Sequence, residues 1–193
     1  MTSQAIVIVV GPAGSGKSTV AREIAQRYSA LYLDKDSMVG DLVSFCLESN
    51  GYRSDDRESN AFYRERLMPL EYRSMLRVAG ENLRLGASVV LDAPFAAYLD
   101  CPGFIEGAAL DWPPVSVIVA RVRVAESTVR QRLIARGNLR DKWKLDNWTE
   151  FWATYGVTEC LWSGSTTIDV RNDDSTLDWA SLDVAVGSWT SRE

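Results

Sequence analysis

Nine consecutive residues carry the most specific chemistry in the chain: Gly11-Pro12-Ala13-Gly14-Ser15-Gly16-Lys17-Ser18-Thr19. They fit the pattern G-x-x-x-x-G-K-[ST], a loop whose main-chain amides cradle phosphates. Glycines at 11, 14 and 16 remove side chains and permit unusual dihedrals, so successive N–H groups can converge on an anion. A helix opening near Lys17 would add the positive end of its dipole. Lys17 is placed to bridge β- and γ-phosphates as a point charge, and the Ser18 hydroxyl to ligate Mg²⁺. Gly11, Ala13, Gly14, Ser15, Gly16, Lys17, Ser18 and Thr19 are therefore the expected nucleotide-binding residues, with ATP and Mg²⁺ as cofactors.

Three carboxylates follow in places where this chemistry needs them. Asp34 and Asp36 flank Lys35 at the end of a short apolar run, and Asp92 ends another, Ser88-Val89-Val90-Leu91. Carboxylates at the carboxyl ends of parallel strands stand at the mouth where open α/β sheets bind ligands. Either Asp34 or Asp36 could contact substrate and accept a hydroxyl proton, while Asp36 also suits capping of a helix starting at Ser37-Met38-Val39. Asp92 fits a Walker-B position, holding Mg²⁺ through its water shell. The chain has no histidine, so any general base must be a carboxylate, or the reaction must proceed without one.

Arginines supply the remaining charge. Arg130, Arg132, Arg136 and Arg140 lead through Gly137 into a cationic stretch, and residues about 130–146 read as a lid over a bound triphosphate. Arg132 and Arg136 are expected on the nucleotide, with Arg136 and Arg140 closing over the transferring group. Arg171 should reach the edge of the adenine site. Arg64 is the candidate for touching an acidic acceptor, and Phe95 or Tyr98 could line its pocket.

The elements that must position these groups read as alternating strands and helices. Ala5–Val10 is a β-branched run suited to a buried parallel strand. Val20, Ile24 and Tyr28 recur at the spacing of one helix face. Further strands are expected at 30–33, 88–92, 115–120 and 165–170. A helical stretch at 61–85 is interrupted near Pro69, Trp148 and Trp152 lie one turn apart on another helix, and a last helix spans 176–186, with 188–193 frayed. Residues 50–60 read as an exposed loop with a turn at Asn50-Gly51.

Composition excludes several classes. A chain of 193 residues suits one α/β domain with a substrate-binding helical region at about 37–85. No run of 18 apolar residues exists, and the start of the chain lacks a basic region with a cleavage site, so a cytoplasmic protein is expected. Net charge −5 argues against a nucleic-acid partner. Cys46, Cys101 and Cys160 lack metal-ligand spacing and read as reduced, buried thiols.

The order of phosphate loop, acidic pair, strand-end aspartate and arginine-bearing lid resembles the small-molecule P-loop kinases. It is most similar to the AAA_33 type of ATP-binding kinase, related to gluconate and shikimate kinases and to the kinase part of phage polynucleotide kinase. Leu33-Asp34-Lys35-Asp36-Ser37-Met38 resembles the segment carrying the polynucleotide kinase's catalytic aspartate, with the match on Asp36. Arg132-Leu133-Ile134-Ala135-Arg136-Gly137 resembles the approach to the lid, although Leu139-Arg140-Asp141 replaces the Arg-Pro of shikimate kinase. The likeness covers most of residues 5–172. It implies a three-layer P-loop NTPase fold, a five-stranded parallel sheet in the order 2-3-1-4-5 flanked by helices, and a helical lid. The implied activity is phosphoryl transfer from ATP to the hydroxyl of a metabolite, sugar or antibiotic, by a monomer or homodimer. A polynucleotide 5′-end kinase and an ATP-dependent regulatory switch are the alternative readings.

Overall fold

The computed structural model describes residues 4–55, 57, 60–156, 159–173 and 179–186, with the side chains of Arg140 and Ser181 excepted. Its centre is β1 (Ala5–Val10), in which all six residues are buried. The run is continuously apolar because helices cover both faces of the sheet. Ile6, Ile8 and Val10 point into one core cluster, Val7 and Val9 into the other. That alternation follows from the two-residue repeat of a strand.

The chain then lays down α1 (Lys17–Arg27), β2 (Leu31–Asp34) and α2 (Lys35–Ser49). A π turn (Tyr63–Leu67) leads into α3 (Met68–Arg84), followed by β3 (Val89–Asp92) and the short α4 (Phe104–Ala108). Next come β4 (Ser116–Arg123), α5 (Glu126–Arg136), α6 (Lys142–Asp146) and α7 (Trp148–Phe151). The last elements are β5 (Thr166–Arg171) and α8 (Trp179–Val186). All pairings are parallel and the strand order is β2-β3-β1-β4-β5, as the resemblance implied. Val20 and Ile24 of α1 and Leu182 of α8 pack on one face of the sheet, and Met75, Ala79 and Leu83 of α3 on the other.

The interruption expected near Pro69 is the π turn just before it, which accommodates a proline with no N–H to donate back up the helix. Two features depart from expectation. β4 runs three residues beyond the expected Ala120, because Arg121 and Arg123 are matched by Asp169 and Glu159. Cys101 is exposed, and Cys46 and Cys160 are half-buried, which corrects the expectation of buried thiols. Residues 176–178 and 188–193, part of the expected C-terminal segment, lie outside the described residues, as do 56, 58 and 59 of the polar loop. Among the described residues no helix is long and apolar enough to cross a membrane.

The sheet order decides where the site lies. Asp34 and Asp92 are direct partners in the β2–β3 register, and Asp92 lies opposite Val9 of β1. The carboxyl ends of three adjacent strands thus deliver the phosphate loop and both acidic positions to one edge, beside the point where the chain direction of travel across the sheet reverses.

Candidate active site

The phosphate loop is built by glycine geometry and anchored from the far side. Gly16 has φ 84 and caps α1, and a Cβ there would collide with the Asn172 amide. Asn172 Nδ2 donates to the Ser15 carbonyl at 2.8 Å, and Arg132 Nη1 donates to the same oxygen at 3.3 Å. Arg132 Nη2 reaches the Asn172 carbonyl at 2.8 Å, closing a small loop of contacts behind the cradle. Gly14 packs against Leu133 and Val129 of α5, where a side chain would find no room. At the start of α1 the Thr19 and Val20 amides both donate to the Gly16 carbonyl, at 3.0 and 3.1 Å, and the amides of Lys17 and Ser18 precede any acceptor of their own helix.

Lys17 turns its ammonium onto the Pro12 carbonyl at 2.9 Å, across the mouth of the loop. Its pKa is lowered from 10.5 to about 8, chiefly by burial and also by the charge of Arg136, against the opposing pull of Asp92, Asp36 and Asp34. A cation held this way gains from any anion that enters the cradle. The residues therefore fit a nucleotide's polyphosphate: glycines that leave room, and an ammonium whose charge burial disfavours until an anion arrives.

Asp92 is buried at 4% exposure, and its Oδ2 accepts from the Tyr32 hydroxyl at 2.8 Å. Burial, then the bond to Asp92, holds the Tyr32 phenol protonated well beyond its ordinary range. Ser18 and Asp92 both line the cavity and fit a hydrated Mg²⁺, which keeps several waters and takes few protein ligands. Among the described residues no cluster of three or more histidine, cysteine or acidic side chains forms a cage of its own.

The acidic pair separates into two roles. Asp34, not Asp36, caps α2: its Oδ1 accepts from the Asp36 amide at 2.9 Å and its Oδ2 from the Ser37 hydroxyl at 3.0 Å. The helix begins at Lys35, two residues before the sequence suggested, because the cap sits at the last residue of β2. Asp36 then occupies the first turn, with its side chain 49% exposed at the cavity. Beneath it lies a buried network that the sequence reading missed. Lys35 Nζ contacts Asp36 Oδ1 and Glu71 Oε1, each at 3.0 Å, and Tyr63 donates to Glu71 Oε2 at 2.7 Å. Arg57 Nη1 stands 3.8 Å from Asp36 and 3.9 Å from Glu71.

The phosphate loop, Lys17, Asp92, the acidic pair and Lys35 line one cavity of about 620 Å³. Gly11, Ala13, Gly14, Gly16, Lys17, Ser18, Thr19, Arg132 and Arg136 line one part, and Asp34, Asp36, Tyr63, Arg64 and Tyr72 another. Phosphate loop, paired strand-end aspartates and an arginine-bearing helix on one pocket are the parts of a nucleotide site. A model of the AAA_33 family, an AAA domain, matches residues 6–158.

The chain belongs to the AAA_33 family.

Curated relatives match it only locally. A bifunctional pantoate ligase/cytidylate kinase of Synechococcus sp. (strain CC9605) is 43% identical over 61 residues, 32% of this chain and 12% of that protein. The cytidylate kinase of Fusobacterium nucleatum is 44% identical over 45 residues, 23% of this chain and 21% of that protein. The chain thus matches well under two thirds of these relatives' lengths. Solved structures match throughout. A candidate kinase from Chloroflexus aurantiacus has TM-score 0.68 at 18% identity, covering 97% of this chain and 96% of that one. A sugar kinase from Janibacter sp. HTCC2649 has TM-score 0.61 at 17% identity, covering 97% and 99%. At these identities the likeness is one of fold, and the fold is that of the P-loop kinases.

Within this AAA_33 chain, four expected site residues fall elsewhere. Phe95 is fully buried, in ring contact with Tyr72, Phe104 and Trp162, so it is core and does not line the cavity. Tyr98 likewise stacks on Phe104 and is not part of the lining. Arg171 is exposed at the end of β5, and strand alternation turns its neighbour Asn172 inward instead. Ser15 lies under the loop rather than on its surface. The Arg140 side chain lies outside the described residues.

The segment expected to form a lid is helical. α5 ends at Gly137 (φ 59), a 3₁₀ turn follows at Leu139–Asp141, and α6 and α7 return over Val129 and Leu133. Trp148 and Trp152 stack with ring centroids 5.7 Å apart, and they pack as their spacing suggested. Arg136 does not reach freely into the cavity, being paired with the buried Asp141. Asn172 and Glu71 carry no sequence signal of their own: one is a single amide after a strand, the other one charge on a helix of mixed polarity.

Proposed function

We propose that this chain is an ATP-dependent phosphotransferase that moves the γ-phosphoryl group to a hydroxyl of a small molecule. The observation that carries the reading is that Lys17 and Asp36 line the same cavity, with Ser18 and Asp92 on its wall. Asp34 is occupied as a helix cap, which favours Asp36 as the group that meets the acceptor.

The chemistry asked of the chain is mostly positioning and charge stabilisation. The amides of the loop and Lys17 hold the β- and γ-phosphates. Mg²⁺, when bound by Ser18 and by Asp92 through water, supplies neutralisation of charge on the β/γ oxygens. Asp36 orients the acceptor hydroxyl and takes its proton as the oxygen forms a bond to Pγ. The bond from Pγ to the β,γ-bridging oxygen breaks, and its electron pair leaves with ADP. Arg136 and Arg132 stand beside the phosphates, and Arg64 on the acceptor side is suited to an acidic or polar group of the substrate.

The cytidylate kinase relatives share only short stretches, so their acceptor does not transfer to this chain. The deciding experiment is a screen of a metabolite pool, including CMP and a 5′-hydroxyl oligonucleotide, for ATP-dependent phosphorylation. A phosphorylated alcohol is expected, lost in Lys17→Ala. Asp36→Asn should reduce kcat far more than ATP affinity. CDP as sole product would move the acceptor from a hydroxyl to a phosphate, and no product from any pool would overturn the proposal.

A further inference from the structure

Lys35 breaks two local rules at once. It is a lysine at 5% exposure, although lysines are almost never fully buried unless paired, and it is a cation in the first turn of a helix, where the dipole favours anions. Neither choice aids folding of α2 by itself. What it does is join two carboxylates of opposite exposure: Asp36 at the cavity, and Glu71 at 2% exposure inside α3. Glu71 is held in turn by the Tyr63 hydroxyl from the π turn, at 2.7 Å. Tyr63 is kept as a donor because burial, and then the charge of Glu71, raise its pKa far above the ordinary phenol range. The Tyr63 amide bonds Asn60 Oδ1 at 2.9 Å, so the turn itself is pinned.

The chain of contacts therefore runs from a rigid helix to a side chain at the mouth of the pocket. Without the Lys35 ammonium, Asp36 and Glu71 would lose the cation that contacts both at 3.0 Å and keep only the longer approaches of Arg57, at 3.8 and 3.9 Å. Repulsion would turn the mobile member, Asp36, toward solvent.

We propose that Lys35 is a positioning residue for the acceptor carboxylate, its buried ammonium anchored on Glu71 and fixing the orientation of Asp36. This rests on the kinase reading above for its consequence in catalysis, but not for its geometry. Arg57, whose Nη2 is fixed by the Gly40 carbonyl at 3.1 Å and Ser44 Oγ at 3.2 Å, adds its charge to the same pair of carboxylates from the other side.

The test uses Lys35→Met, which keeps most of the stem and removes the charge. Crystal structures of the wild type and the variant read the Asp36 rotamer directly, whether or not an acceptor has been found. A displaced Asp36 carboxylate is expected, and an unmoved one overturns the inference. With an acceptor from the screen, kcat should fall about 100-fold, the scale of a misplaced reacting group, while Mg-ATP affinity stays within about twofold. In an Asp36→Asn background the same substitution should cost less than about threefold, because residues acting as a unit are not additive. Equal losses in both backgrounds would show a merely structural lysine. Should Lys35→Met fail to fold, Glu71→Gln is read in the same way, since it removes the anchor and leaves the ammonium. A wild type that phosphorylates nothing refutes the kinase reading alone, since the rotamer comparison still decides the role of Lys35.

Discussion

Arg136 and Asp141 hold one another across the glycine turn that ends α5: Arg136 Nε donates to Asp141 Oδ2 at 2.8 Å, and the guanidinium makes a second contact to the same oxygen. The carboxylate is buried while the arginine keeps about half its side-chain surface in water. Lys144 Nζ stands 3.6 Å from the other carboxylate oxygen. Arg136 is thus restrained beside the phosphate loop before any phosphate arrives.

Asp141→Asn should release that restraint. Breaking a buried pair is costly, but Arg136 is half solvated, so the loss of stability should be about 1–2 kcal/mol, read by denaturant unfolding. Mg-ATP binding, read by calorimetry, should become severalfold tighter as the freed guanidinium turns to the phosphates. Weaker binding would instead show that Asp141 aims Arg136 at its target.

Lys17 predicts a signed pH dependence. Its pKa near 8 in the folded chain must rise when polyphosphate enters, because an anion favours the ammonium. Binding therefore takes up protons, and the Mg-ATP Kd should weaken as pH rises through 8, approaching about tenfold per pH unit. Lys17→Met should abolish that slope. Unfolding without nucleotide gives the complementary test. The folded pKa lies below 10.5, so the unfolded chain holds more protons between pH 8 and 10.5. The stabilising contribution of this group is then complete above 10.5 and lost as pH falls to about 8. Wild type should accordingly lose stability relative to Lys17→Met as pH is lowered across that window.

The pinning of the loop from behind can be tested at both ends. Gly16→Ala places a Cβ against the Asn172 amide at a positive φ, and should cost about 1–3 kcal/mol in stability together with most nucleotide affinity. Asn172→Ala removes one bond to the Ser15 carbonyl but leaves that of Arg132. A loss of about 1 kcal/mol in stability is expected. Mg-ATP binding should weaken by less than about tenfold, and an unchanged Kd would mean that Asn172 does not hold the loop.

Phe95 separates core from pocket. It follows Pro94 at φ 52, is fully buried, and its amide donates to the Tyr72 hydroxyl at 3.1 Å. Phe95→Ala should cost about 3–5 kcal/mol in denaturant unfolding, as for other large core truncations. The acceptor KM of the folded fraction should stay within about twofold, whereas a change of tenfold or more would return Phe95 to the substrate.

By itself, the order of residues determined the phosphate loop, the α/β alternation and the placing of Asp34 and Asp92 at strand ends, because those signals are local: glycine spacing, β-branched runs and an acid at the end of two of them. Strand order followed from the family resemblance rather than from any spacing. Only the tertiary structure decided that Asp34 caps α2 and that Asp36, the cap expected from the sequence, is left at the cavity, because the helix starts directly from the last residue of β2. It alone decided that Phe95 belongs to the core and that Asn172, not Arg171, turns toward the loop. It also brought Lys35 to Glu71, 36 positions apart. A pair so distant leaves no pattern in one chain, because the sheet, and not the sequence between them, sets the distance across which two charges meet.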